Sequence, residues 1–240
     1  MLIEELHRLG EASLIIALSF IAIASGYSIF LFSIVGHISS PETSIGNLAL
    51  GVIVFLSGFS LLLAGSFSMY LSSKRLSRYI KLISSPYILI SIASLFLILY
   101  PIGDFYDMTL LKEISIGIGI PILSVGVALS SSNTEELEAL GINLSLSKNL
   151  LLISGILTLI GVGILLIPIA FFVQAFSLLS IEGRSKEAEL LIEESLLEEE
   201  RLSLLSIAMR IKKPLYVVYD AAIRVAERNN YEISGGIIIR

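Results

Sequence analysis

Five stretches of this chain contain no Asp, Glu, Lys, Arg or His: residues 12–36, 46–70, 83–102, 114–130 and 150–179. A helix crosses a hydrocarbon core of ~30 Å with about 20 apolar residues, range ~17–25. The first three stretches meet that length easily, and the fourth lies at the lower edge. The fifth is long enough to cross and run on along the interface, with Pro168 placed to kink it. Only 15% of residues are charged, against about 25% in a soluble domain, and most of them gather after residue 181. The expected fold is an all-α integral membrane protein. A five-helix transmembrane bundle occupies 1–181, and a soluble or interfacial helical tail, 182–240, ends in a short β-hairpin.

Within the fourth stretch, "ISIGIGIPILSVG" (Ile114–Gly126) alternates bulky and small residues with the period of a strand. A lone strand in lipid leaves its amides unpaired, at several kcal/mol per group, so this segment is expected to be helical. Helical spacing puts Ser115 and Gly119 on one face and Gly117 and Pro121 nearly opposite. That pattern predicts a central helix, packed closely on both sides and bent at Pro121. The segment reaches about 25 Å, so a re-entrant path rivals a full crossing.

The choice decides the side of the tail. Five crossings put Arg8, Lys74, Arg75, Arg78, Lys81 and Lys148 on one side, with Lys112, Arg184 and Lys186 on the other. A re-entrant fourth stretch moves Arg184 and Lys186 to the basic side and Lys148 away from it. Both models place the N-terminus and loop 71–82 in the cytoplasm of a multi-pass cell-membrane protein. Hydrophobicity favours five crossings, which leaves the tail outside; the re-entrant model leaves it in the cytoplasm. Residues 14–23 are read as part of a retained span, because Glu4, Glu5 and Glu11 precede them against a single Arg8, where a secretory signal needs positive charge.

Spans without ionisable groups argue against proton relays, ion-coupled carriers and intramembrane hydrolysis, all of which need such groups at depth. Gln174 is the strongest polar side chain well inside a span. There is no cysteine, no Gly-rich phosphate loop and no serine–histidine–acid set, so no enzyme, cofactor, catalytic residue or metal centre is expected. The acids and histidine of the outer loops, His37, Glu42, Asp104, Asp107 and Glu113, share a compartment but match no ligand spacing.

Ser60, Ala64 and Ser68 recur every four residues, as do Ala22–Gly26 and Ala24–Ser28. Such spacing lets helix backbones approach, in the bundle or in a homo-oligomer. The loop "LSSKRLSRYIKL" (71–82) carries Lys74, Arg75, Arg78 and Lys81 between apolar residues. It is expected to lie as a short interfacial helix on anionic lipid, at about 1 kcal/mol per base. "MLIEELHRLG" reads as a second interfacial helix.

The tail is predicted to form one helix from Ser185 to about Lys213, with Leu190, Leu197, Leu204 and Ile211 in heptad register. A second helix runs from Pro214 to about Arg228, and a hairpin follows, centred on Gly235-Gly236. This order also suits a winged helix-turn-helix, but the second helix sets Arg224 and Arg228 against Asp220 and Glu227, which argues against nucleic acid. The function expected is a membrane scaffold or accessory subunit whose tail, 182–240, binds a protein partner or the membrane surface. The alternatives are a channel or permease for a small neutral or apolar solute and, behind it, a membrane-tethered nucleic-acid binder.

Overall fold

The computed structural model describes residues 2–37, 41–78, 80–138, 140 and 142–240. Tyr79 lies outside the described residues, as do the side chains of His37, Glu42 and Arg184. The chain folds into a helical bundle of membrane-protein character with five long apolar helical segments, Ile3–Ile34, Gly46–Leu76, Ser85–Asp104, Thr109–Glu138 and Val162–Glu198, and one shorter apolar helix, Ser145–Thr158.

α1 (Leu2–His37) and α2 (Pro41–Leu76) form an antiparallel pair. Glycines hold it together. A Cβ at Gly51 would lie 2.7 Å from the Phe30 nitrogen, at Gly58 2.7 Å from Ile23 Cγ1, and at Gly65 2.9 Å from Ile16 Cγ1. In lipid the hydrophobic effect does not draw helices together, so close backbone packing must. The heptad Gly51–Gly58–Gly65 is thus the packing stripe of α2, answered by Gly26 of α1 against the Phe55 backbone. The expected stripe is displaced from this contact: Ser60 and Ala64 are exposed and Ser68 half-buried.

α3 (Ser85–Leu97) and α4 (Leu99–Phe105) continue one another across a break at Ile98, and α5 (Thr109–Ile114) turns back. α5 leads through a π-helical turn, Ser115–Gly119, into α6 (Ile120–Glu138). The Ile114–Ser130 segment is therefore helical throughout. Its irregularity is the π turn, whose buried face, Ser115 and Gly119, rests on Leu97 of α3. The opposite face is not packed as expected: Gly117 and Pro121 are exposed, and Gly117 has nothing within 4 Å of where a Cβ would be.

The fifth apolar stretch departs most from expectation, because it is not one helix. α7 (Ser145–Thr158) packs on α6, where a Cβ at Gly155 would sit 2.6 Å from the Ala128 nitrogen. The chain then reverses through left-handed Gly161, φ 84°, and a 3-10 turn, Val162–Leu165, into α8 (Ile167–Glu198). Ser147 Oγ donates to the Ala170 carbonyl at 3.2 Å, so α7 and α8 lie antiparallel. Gly161 is why the reversal occurs here: φ > 0 is readily open only to glycine. Pro168 sits in the first turn of α8, where its missing N–H is harmless, and starts that helix rather than kinking it.

The tail therefore returns to the end of the bundle where α1 begins. This end also carries Arg75, 3.2 Å from Glu5. The arrangement with the tail opposite the N-terminus is corrected, and so is the reason for the alternative: the reversing segment is 150–179, not 114–130.

α8 runs unbroken across position 182 and ends at Glu198. The long tail helix expected to Lys213 is interrupted by β1 (Arg201–Ser203), then α9 (Leu204–Ile211), α10 (Leu215–Asn229), β2 (Glu232–Ser234) and β3 (Ile237–Ile239). β1 is there because a two-stranded hairpin is marginal alone. β3 pairs antiparallel with both β2 and β1, and Leu202 faces Ile238, both buried. Gly235 and Gly236 both have positive φ, as a tight hairpin turn requires. Of the heptad residues, Leu204 and Ile211 turn into the tail's own core, and Leu190 and Leu197 are exposed.

Replacing Gly58 with Val is expected to destabilise the protein by about 1–3 kcal/mol, since the α1 backbone cannot move aside. Replacing Ser60 with Val should change stability by less than about 0.5 kcal/mol. Thermal unfolding in mild detergent checks both.

Candidate functional site: the junction of bundle and tail

Two apolar cores meet at the end of the bundle where the chain begins. One runs through the helices and includes Ile3, Leu6, Leu9, Phe171 and Ile181. The other belongs to the tail and is built from Ala188, Ile192, Leu196, Leu204, Val218, Ala222, Val225 and Ile238. α8 joins them rigidly, because it contributes Ile181 to the first and Ala188 to the second. α10 is the second tie: Val217 belongs to the bundle core, whereas Val218, one residue later, belongs to the tail core. Residues 2–10 of the initial segment are accordingly not an interfacial helix on lipid. They form the first turns of α1, with Ile3, Leu6 and Leu9 buried and Gly10 tight against Leu178 and Leu179 of α8.

Charge fixes the geometry further. Glu189, with a side chain only 11% exposed, lies 3.2 Å from both Arg224 and Arg228. Arg224 also reaches Asp220 and the Ser185 hydroxyl, the latter at 3.0 Å, and Arg228 reaches Glu193 at 3.0 Å. Lys213 meets Glu187 at 3.3 Å. Both arginines that a recognition helix would offer to phosphate are thus committed to carboxylates of α8 and α10.

Between α10 and the start of α1 lies a cleft of about 670 Å³. It is lined by Ile3, Glu4, His7, Arg8 and Glu11 on one side and Asp220, Ile223, Arg224 and Glu227 on the other. Arg8 pairs with Glu4 and Glu5, and His7 Nε2 sits 3.4 Å from Glu11. Among the described residues no three His, Asp or Glu side chains gather as a metal site. At the opposite end of the bundle, Asp104 and Asp107 lie 2.8 and 3.8 Å from the Lys112 ammonium.

The four bases of loop 71–82 are exposed at the junction end. Lys74 and Arg75 belong to the last turn of α2, which continues through the start of the loop. The separate interfacial helix is therefore replaced by a helix end, a turn and a short extended connection. Arg75 meets Glu5, and Lys74 lies 5.9 Å from the Tyr70 ring centre.

Inside the bundle, buried serine hydroxyls donate to carbonyls: Ser13 to Leu9, Ser66 to Leu62, Ser130 to Val127, Ser154 to Leu151. A polar knot remains near the junction. Asn133 accepts from the Ile83 N–H at 2.8 Å and donates to the Ile83 carbonyl at 2.6 Å, pinning the entry to α3 against the end of α6. The fully buried Tyr87 hydroxyl faces Asn133 and Gln174. It lacks good hydrogen-bond geometry with either, and both amide atoms of Gln174 are without a protein partner. Sequence reasoning singled out Gln174. It missed Asn133 and Tyr87, which lie far apart in the chain and meet only through the α3–α6 packing.

The tail connectivity is helix–strand–helix–turn–helix–strand–strand, with the sheet ordered β1-β3-β2 and α9 and α10 joined by a short turn. No protein-family model, no curated protein and no solved structure matches this chain.

Exchanging Gln174 for Leu is expected to raise stability by about 1–3 kcal/mol, since a buried amide poorly aligned with the facing Tyr87 hydroxyl is replaced by a group that needs no partner. Asn133→Leu should lower it by a similar amount by stranding the Ile83 N–H and carbonyl. Paired thermal melts decide; destabilisation by Gln174→Leu would contradict this reading.

Proposed function

We propose that this chain is a membrane scaffold or accessory subunit: an inert helical anchor that holds a winged-helix-like module against the cytoplasmic face and presents it to a protein partner. The observation that carries the proposal is the double tie of the module, through unbroken α8 and through Val217 of α10 seated in the bundle core. A tail that merely trailed from an anchor would not need its own core and a second docking point.

The orientation follows from charge. With α7 and α8 reversing on themselves, eight of the nine Lys and Arg residues in 1–186 fall at the junction end, and Lys112 alone falls at the other. This asymmetry exceeds that of either sequence model and argues for a cytoplasmic junction.

Protein is the favoured partner class. Arg224 and Arg228 are neutralised, and the start of α10, the end that enters a DNA groove in a helix-turn-helix, packs on the bundle. Meanwhile Leu205 and Met209 of α9 and Leu215 and Tyr219 of α10 are exposed. A conducting path of serine hydroxyls is the weaker reading, because those hydroxyls already donate to carbonyls.

The chain lacks cysteine, so single cysteines report topology cleanly. Ser234→Cys and Ser77→Cys should react with an impermeant maleimide from the same side of sealed vesicles, and Asp107→Cys from the other. Labelling of residue 234 together with residue 107 would refute the arrangement. For the partner, a protein captured by the intact chain from native membranes should be lost at least tenfold with Leu205→Glu/Met209→Glu. Unchanged capture would remove this surface from the proposal.

A further inference from the structure

Away from the junction, the spans enclose an apolar chamber that the scaffold reading does not use. Its outer lobe, about 450 Å³, lies between α1, α2 and α4 and is lined by Tyr27, Phe30, Val52, Phe55, Pro101 and Ile102 among others, with no polar surface. An inner lobe of about 410 Å³ shares Tyr27, Phe55 and Pro101 with it. The inner lobe reaches Phe20, Phe59, Leu97, Leu123 and Ile164, with the Ser115 hydroxyl directed at the Leu97 carbonyl, 3.4 Å away. Each lobe is of the size of a ligand pocket.

Three irregular segments of the bundle border this space. Leu97 and Tyr100 flank the break between α3 and α4, Ser115 opens the π turn, and Ile164 comes from the 3-10 turn between α7 and α8. Irregular helical turns of this kind are common at functional sites. Regular helices would close here; the broken ones hold the walls apart.

We propose that the chamber binds one hydrocarbon chain of a bilayer lipid. Water is excluded as the occupant, because a buried water needs two to four polar partners and the walls offer almost none. The outer lobe is continuous with the lipid-facing surface of the spans, where Leu50, Ile53 and Leu56 of α2 and Ile102 of α4 are exposed, so the medium at its mouth is hydrocarbon. The adjacent lobes share Tyr27, Phe55 and Pro101 in their linings, a long apolar surface that suits a flexible chain better than a compact solute. Among the described residues Lys112 is the one ammonium near this end, and it is matched by Asp104 and Asp107, so the site selects the chain and not an anionic headgroup.

The test uses full-length protein in nanodiscs of phosphatidylcholine carrying a diazirine midway along one acyl chain, with adducts mapped by peptide mass spectrometry. Phe55, Phe59 and Leu123 are buried from the surrounding lipid, at 8%, 4% and 1% exposure, yet line the chamber. Adducts on these three support the site, together with equal yields when the headgroup is phosphatidylglycerol. Val52→Trp, at the mouth, should lower their yield at least tenfold while labelling of the exposed Leu18, Phe67, Leu152 and Phe176 is unchanged. Adducts confined to those four exposed residues in the unmodified protein would overturn the proposal, and that arm stands even if the variant fails to fold. A strong preference for the anionic headgroup would also overturn it as stated.

Discussion

Backbone amides and carbonyls in hydrocarbon have no water to bond, and that constraint shapes each part of this molecule. It forces helix onto Ile114–Ser130 despite a strand-like alternation of residues. It also explains how the chain can reverse within an apolar stretch. At the α7–α8 turn the amides of Leu159, Ile160 and Gly161 donate to the carbonyls of Ile156, Leu157 and Thr158, and that of Leu166 donates to Gly163. Tight local bonds replace the helical ladder at the tip, where Leu159, Ile160, Val162 and Leu165 stand exposed. Serine obeys the same rule, with buried hydroxyls such as those of Ser13, Ser66, Ser130 and Ser154 each donating to a carbonyl, which makes a residue that looks like a polar lining part of the scaffold.

The second consequence concerns packing. Apolar side chains gain little by meeting each other rather than lipid, so the bundle relies on proximity at glycine: Gly26, Gly51, Gly58 and Gly65 between α1 and α2, and Gly155 between α6 and α7. Beside the irregular turns at Ile98 and Ser115–Gly119 an apolar chamber remains. Where α8 leaves the bundle, water returns and the ordinary hydrophobic effect assembles a compact module on Ala188, Ile192 and Val225. One helix therefore passes through two solvents and couples two kinds of core.

Much of this was legible in the sequence. Absence of charge marked the apolar segments, Gly235-Gly236 marked the hairpin, and Asn229-Asn230 marked the end of α10, whose cap residue Asn230 is left-handed. What stayed hidden has physical causes. The reversal at Gly161 is signalled by Gly161 and Gly163 in a run of apolar residues, and hydropathy is blind to it. β1 is three residues long and exists only because β3 needs a partner, a tertiary demand that overrides the helical preference of its surroundings. The four-residue small stripe at Ser60 was noticed, whereas the seven-residue glycine stripe beside it makes the contact. The tie through Val217 is a tertiary contact of α10 with the bundle core and leaves no local signal.

The central claim is that the bundle and module form one rigid body, so that the anchor sets the pose in which the module meets its partner. The direct measurement is a spin-label distance between cysteines placed at Ser234 in the hairpin and Ser77 at the end of α2, in nanodiscs. The account predicts a single narrow distribution. A broad distribution spanning tens of ångströms, as from a tethered but undocked tail, would contradict it.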